Sequence, residues 1–237
     1  MRVKPSSPKL PLWLRAWLFH QRHIRPRYAP ILERWHRKRV RTRCPAMGDV
    51  FEEMDAAYYP LSPGEEHMTE RLQRGHQNDD SLTFGELSWP SFYRVAQRLE
   101  PSAEDHFIEL GCGTGRFTFF MHLHWGVEAT GIDWSETFIE RARAVAQTLT
   151  LADVRFLNRD ILDFDCANGT LFYVTSGCLT EPQRQRLGHA LARAPVGSRV
   201  AVVGTPLEAP HLSLLERLKV RFAWGRDDAF IYLVRAA

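Results

Sequence analysis

Cysteine is scarce in this chain. Among 237 residues there are four, Cys44, Cys112, Cys166 and Cys178. They form no CxxC pair and no Cys/His spacing of the kind a structural metal uses, which argues against both a metal-stapled module and a disulfide framework. A reducing, cytoplasmic setting is the expectation. Long apolar runs are missing too: nothing approaches the roughly 20 uninterrupted apolar residues of a membrane-crossing helix. Leu10 to Phe19 has the look of a signal-peptide core, but Arg15 interrupts it and no small-residue cleavage site follows. The Arg-rich, acid-poor start leaves an organelle transit peptide open. Acids are nearly absent from residues 1 to 43, which hold 13 of the 31 Lys+Arg but one of the 28 Asp+Glu, Glu33, so 18 bases and 27 acids remain beyond. A net charge of +3 thus hides an arm near +12 and a body near −9. That split suits an arm for RNA, an anionic surface or an acidic partner, or one that lies on its own acidic body.

What the chain does have is Phe107 to Arg116, FIELGCGTGR. An apolar run carrying Glu109 breaks into glycines at alternate positions, Gly111, Gly113 and Gly115, and the aromatic-rich Phe117 to Met121 follows at helical spacing. This reads as a strand, a tight turn and a helix, with glycine where backbone must come close to a nucleotide-like ligand. A dinucleotide fingerprint needs its third glycine three positions after the second, and there this chain has Arg116. The GxGxG spacing instead resembles that of class I methyltransferases, which bind S-adenosyl-L-methionine. Val127 to Asp133 reads as a second strand ending in an acid, 18 residues past Gly115, placed to meet ribose hydroxyls.

Along the rest of the chain, Leu10, Trp13, Leu14, Trp17 and Leu18 form one helical stripe, which suits a core contact or a membrane surface. A second short helix is expected from Pro30 through Trp35 into the basic cluster Arg37 to Arg43, and Cys44 to Asp80 reads as an acidic, loop-like connector with His67 and His76 at the surface. Phe92, Val95, Ala96 and Leu99 share a helical face. Ser135 caps a helix with a broad apolar face, and Thr180 with Gln183 makes a capping box for another. Further strands are expected at Val154 to Leu157, Leu171 to Val174 and Val200 to Val203, followed by a hairpin of Val220 to Trp224 and Ala229 to Val234. Fully apolar strands suit a parallel sheet covered on both faces. The fold class is therefore α/β, a Rossmann-like, doubly wound, mostly parallel seven-stranded sheet with an antiparallel C-terminal hairpin and a basic helical N-terminal extension. The expected organisation is an arm over 1–45, a connector and active-site lid over 46–90, and a cofactor-binding domain over 91–237.

Residues 82 to 237 also resemble the disruptor-of-telomeric-silencing type lysine methyltransferases and their prokaryotic relatives. The similar stretches are Phe84-Gly85-Glu86-Leu87-Ser88-Trp89, FYRVAQ from Phe92, the glycine turn, Arg159-Asp160-Ile161, and FYV leading into Thr180-Glu181-Pro182. The resemblance implies that Glu86 reaches the methionine end of the cofactor from a covering loop, that Asp133 holds the ribose, and that Asp160 and Ile161 hold the adenine. Trp134, Glu109 and the three glycines complete the expected cofactor set, with Glu109 equally suited to satisfying amides of the turn. Where that family has asparagines after the fourth strand, this chain has Thr175 and Ser176, expected near the transferred methyl or in loop hydrogen bonds. No metal is expected. Three functions follow in order: a protein methyltransferase acting at lysine, a methyltransferase of RNA or a small molecule, and a non-catalytic module that binds the same cofactor.

Overall fold

The computed structural model describes residues 25–76, 78–222 and 225–236, with side chains from residue 31, and it divides at Arg39/Val40 into two units. One continuous helix, α1 (Arg25–Arg43), replaces the shorter one expected from Pro30. Within its first part Arg37 pairs with Glu33 one turn away at 3.3 Å, and the Arg39 guanidinium lies 4.3 Å over the Trp35 ring. The Leu10 to Leu18 stripe lies outside the described residues.

The second unit is built on a seven-stranded sheet. Its strands are β1 (His106–Leu110), β2 (Glu128–Asp133), β3 (Val154–Asn158), β4 (Leu171–Thr175), β5 (Arg199–Val203), β6 (Leu212–Arg221) and β7 (Arg226–Val234). Their order is β3-β2-β1-β4-β5-β7-β6; the first five are parallel and β7 inserts antiparallel between β5 and β6. Period-two alternation splits the central strands between two apolar layers: Phe107, Leu171, Tyr173 and Ala201 face one, and Ile108, Leu110, Phe172 and Val200 the other. Apolar side chains on both faces are what a sheet covered twice by helices requires.

The covering helices are α4 (Trp89–Arg98), α5 (Arg116–Trp125), α6 (Glu136–Thr148) and α7 (Glu181–Leu191). Phe92 of α4 stacks on Phe117 of α5 with ring centroids 3.8 Å apart. Ser135 caps α6 by accepting the Phe138 amide at 3.2 Å, and the Thr180/Gln183 capping box opens α7.

Two expectations need correcting. The segment from Cys44 to Asp80, expected to be loop-like, instead forms α2 (Met47–Tyr58) and α3 (Pro63–Gln73). Pro63, read as loop punctuation, is the first residue of a helix opened by a Ser62/Glu65 capping box, a position where the missing proline N–H costs nothing. Helix α2 buries Met47, Val50, Phe51, Met54 and Tyr58 at spacings of three and four, and Val50, Phe51 and Met54 join the layer that contains Phe92 and Phe117. The sixth strand ends at Arg221 rather than beginning at Val220, with a bulge between Leu214 and Glu216 interrupting its alternation.

Candidate active site

At the C-terminal ends of β1, β2 and β4 lies a cavity of about 360 Å³. The glycine turn forms its floor. Gly111, Gly113 and Gly115 all take positive φ, +86°, +51° and +79°, a region that costs residues with a Cβ about 1–2 kcal/mol. They do different work. A Cβ on Gly111 would meet nothing within 4 Å, so its backbone fronts open space. Gly113 is roofed by the Phe84 ring, 2.9 Å from where its Cβ would stand. Gly115 does not line the cavity: the Phe156 ring occupies the place of a side chain there, so this glycine fits helix α5 to strand β3.

Two carboxylates stand at the strand ends. Asp133, last in β2, accepts the Gly113 amide on Oδ2 at 2.8 Å and the Ser135 amide on Oδ1 at 2.9 Å. Burial pushes its pKa up to about 6, opposed by those amides. Each oxygen keeps a lone pair for a ligand hydroxyl. Glu109, in β1, is 2% exposed and accepts the Thr118 hydroxyl at 2.5 Å, which ties it to helix α5 rather than to the glycine turn. Burial raises it to about 8, opposed by Thr118 and reinforced by the charge of Glu86.

Glu86 lines the cavity from the loop between Leu82 and Trp89. Its Oε1 accepts the Thr114 hydroxyl at 2.7 Å and its Oε2 pairs with Arg116 Nε at 3.0 Å, while Arg116 also donates to the Leu87 carbonyl at 2.6 Å. The loop is therefore latched to the first turn of α5. On the far side, Trp134, Asp160 and Ile161 line the wall; Asp160 accepts the Leu162 amide at 2.9 Å and caps a short 3₁₀ turn. Thr175 also lines the cavity. Ser176 does not, and its expected place near the methyl is corrected. It is fully buried and donates to the carbonyls of Thr205 at 2.5 Å and Val203 at 3.2 Å, fastening β4 to β5.

The site contains residues that sequence reasoning missed. His67, expected at the surface, is 5% exposed and lines the cavity. It stacks on Phe138 at 5.4 Å, and its Nε2 bonds the Leu82 carbonyl at 2.7 Å, which leaves Nδ1 as a buried acceptor without a partner. Burial lowers its pKa, opposed by the bond to the Leu82 carbonyl. From the same helix, Glu70 receives the Glu136 amide at 3.0 Å and the Ser135 hydroxyl, securing the loop that follows Asp133. The hydroxyl of Tyr173, a cavity residue opposite Glu109 in the β1/β4 register, is also buried without a hydrogen-bond partner. Orphaned polar atoms, an open glycine and two buried carboxylates in one cavity suit a polar, partly cationic ligand. Among the described residues no group of three or more His, Cys, Asp or Glu is placed to hold a metal ion, and no helix is long and apolar enough to cross a membrane.

Comparison with known proteins agrees with the geometry. Residues 107–195 match the family described as a methyltransferase domain. The chain is 31% identical over 134 residues to the O-methyltransferase resE of Aspergillus sclerotiorum, covering 54% of this chain and 51% of that protein. It is 36% identical over 73 residues to the 27-O-demethylrifamycin SV methyltransferase of Amycolatopsis mediterranei, covering 31% of this chain and 27% of that one. The chain thus spans about half the length or less of these relatives. Among solved structures it superposes on an RNA methyltransferase from Salinibacter ruber in complex with S-adenosyl-L-homocysteine, with a TM-score of 0.52 and 19% identity, over 62% of this chain and 92% of that one. A geranyl diphosphate C-methyltransferase from Streptomyces coelicolor gives a TM-score of 0.53 and 15% identity, over 63% and 76%. The fold is that of the class I methyltransferases.

Proposed function

We propose that this chain is an S-adenosyl-L-methionine-dependent methyltransferase whose acceptor is a hydroxyl group. One observation carries the cofactor assignment: the open backbone face of Gly111 lies in a cavity bounded by two buried carboxylates, Glu109 and Asp133. In this reading Asp133 holds the ribose hydroxyls on its spare lone pairs, Trp134, Asp160 and Ile161 hold the adenine, and Glu86 takes the cationic methionine end, joined by Glu109 once the bound cation displaces the proton that burial keeps on it. The bound cofactor supplies an electrophilic methyl on a sulfonium whose leaving group is already activated. The protein's task is then alignment and exclusion of water, without an obligatory strong base. The loop carrying Phe84 and Glu86 roofs the glycine turn and serves as the lid, and Thr175 and Tyr173 offer hydroxyls to orient the acceptor.

A hydroxyl acceptor is favoured by the two relatives in sequence, an O-methyltransferase and a 27-O-demethylrifamycin SV methyltransferase. A second reading keeps lysine as acceptor. It is supported by the Phe84 to Glu86 loop, which lies over the glycine turn as the lysine-methyltransferase resemblance implies. The Thr175 hydroxyl in the cavity orients an amine less firmly than the amides of that family would. Titration calorimetry with S-adenosyl-L-homocysteine tests the cofactor assignment: 1:1 binding to the wild type is expected, and binding of a nicotinamide dinucleotide in its place would overturn it. Incubation of cell extract with methyl-labelled cofactor, followed by separation into protein, RNA and small-molecule fractions, tests the acceptor. Label in the small-molecule fraction is expected; label on protein lysine would install the second reading, and binding without transfer to any fraction would leave a non-catalytic module.

A further inference from the structure

At the outer end of the sheet, β6 and β7 pair so that Arg221 stands directly opposite Arg226. Side chains opposed across antiparallel strands share a face with Cβ atoms about 4.5–5.5 Å apart, and like charges there are destabilising. Neighbouring cations are neutralised: Arg217 and Lys219 reach Asp228 at 2.6 and 2.8 Å, and Arg98 reaches Glu216 at 2.9 Å. No carboxylate among the described residues pairs with either Arg221 or Arg226. Asp227, paired with Val220 in the ladder, borders the same region, and its Oδ1 is engaged by the Asp228 amide at 2.8 Å. A surface depression is lined by the two arginines, Lys219 and Arg94, and also by Asp227 and Asp228; Arg94 donates to the Lys219 carbonyl at 2.7 Å.

The position of this pair ties it to the cavity. The β5/β7 ladder includes Val203 paired with Ala229, so residues 226 to 228 continue past the C-terminal end of β5, on the edge of the sheet where the cavity opens. Phe222 forms a bridge with Leu87, and the Ser88 amide donates to the Arg221 carbonyl at 2.9 Å. Leu87 is itself a cavity residue and follows Glu86. Arg221 is thus one residue from the strand position that holds the lid loop.

We propose that Arg221, Arg226 and Arg94 form a binding site for a phosphate group, and that this phosphate belongs to the methyl acceptor. Two guanidinium forks facing one depression match the several acceptor oxygens of a phosphate, whereas a lone carboxylate would occupy only one of them. A bound dianion turns the cross-strand repulsion into a shared contact. The link to the acceptor rests on the methyl-transfer reading above; the phosphate site itself does not.

The full chain is to be melted in sodium phosphate and in sodium chloride of equal ionic strength, as wild type, as the Arg221→Ala/Arg226→Ala variant and as Arg226→Glu. Phosphate is expected to raise the wild-type Tm and to leave both variants unmoved. In chloride Arg226→Glu should melt above the wild type, because a salt bridge replaces the repulsion, which also shows that the variant folds. Calorimetry with phenyl phosphate and with a single-stranded RNA hexanucleotide separates the two sources of the group, and whichever binds should lose roughly tenfold or more in the double variant. Affinity for S-adenosyl-L-homocysteine should be the same in all three proteins; its absence from the wild type would sink the cofactor reading and leave the phosphate site standing. An equal phosphate shift in wild type and variants, or none in the wild type, overturns the proposal.

Discussion

The amide of Gly113 donates to Oδ2 of Asp133 at 2.8 Å, so the acid that ends β2 also holds the turn that ends β1. Asp133→Ala consequently removes more than a ligand contact. It leaves the buried amides of Gly113 and Ser135 without acceptors, at roughly 1–3 kcal/mol for an unsatisfied buried group. Loss of S-adenosyl-L-homocysteine binding together with a lowered Tm is expected. Asp133→Asn keeps one oxygen acceptor and should fall between the two. A calorimetric affinity in Asp133→Ala equal to that of the wild type would refute the ribose assignment.

Much of this architecture was legible from local pattern. The strand, glycines, helix, strand and acid from Phe107 to Asp133 announce themselves because each depends on near neighbours: apolar runs, positive-φ glycines and a terminal carboxylate. What stayed hidden depends on distant partners. Helix α3 buries His67, Glu70 and Arg71, so its inward face is polar and shows no apolar stripe. Partners from outside the helix, among them the Leu82 carbonyl, the Ser135 hydroxyl, the Glu136 amide and the Asp79 carbonyl, make that burial tolerable. Strand β6 was misplaced because Leu214 and Leu215 are both 53% exposed beside a bulge, which destroys the alternation that marks a half-buried strand.

Glu109 supplies a pH dependence. Its folded pKa of about 8 lies above its ordinary value of 4.5, so between those limits the folded state binds more protons than the unfolded one. The associated stability is present below pH 4.5 and is lost as pH rises through 8. Asp133, raised from 3.8 to about 6, adds the same sign over a lower window. The Tm of the ligand-free protein should fall between pH 5.5 and pH 8.5 (~3 pH units across the titration of Glu109). Glu109→Gln, which cannot ionise, should flatten the decline; parallel Tm curves for variant and wild type would show that Glu109 titrates normally.

The three glycines should separate by substitution. Alanine at 115 drives a Cβ into the Phe156 ring at a φ of +79°, an overpacking and backbone cost of roughly 2–4 kcal/mol. Alanine at 111 meets no atom and should cost only the backbone term, about 1–2 kcal/mol. Its methyl projects into free space beside the cavity, so Gly111→Ala should weaken S-adenosyl-L-homocysteine binding more than it weakens the fold, and Gly115→Ala the reverse. Chemical denaturation paired with calorimetry reads both quantities. Equal losses in the two variants would mean that the turn acts as one rigid unit with no distinct ligand face.

Thr175 and Ser176 are adjacent, yet alternation at the end of β4 sends them to different places. Thr175 lines the cavity, while the Ser176 hydroxyl is sealed against the Val203 and Thr205 carbonyls. Removing the Ser176 hydroxyl takes the donor from the Thr205 carbonyl, while the Val203 carbonyl keeps the Ser176 amide, so Ser176→Ala should lower stability by about 1 kcal/mol in a denaturant melt. Methyl transfer below the melting range should proceed at the wild-type rate. Thr175→Val keeps shape and volume but deletes the one hydroxyl this pair presents to the cavity, so it should melt near the wild type and lower the transfer rate with cofactor affinity intact. Both variants are to be assayed with the same labelled cofactor and acceptor fraction. A rate loss in Ser176→Ala with none in Thr175→Val would mean that the loop after β4 reaches the acceptor from its other face, and the orienting role given to Thr175 would have to be abandoned.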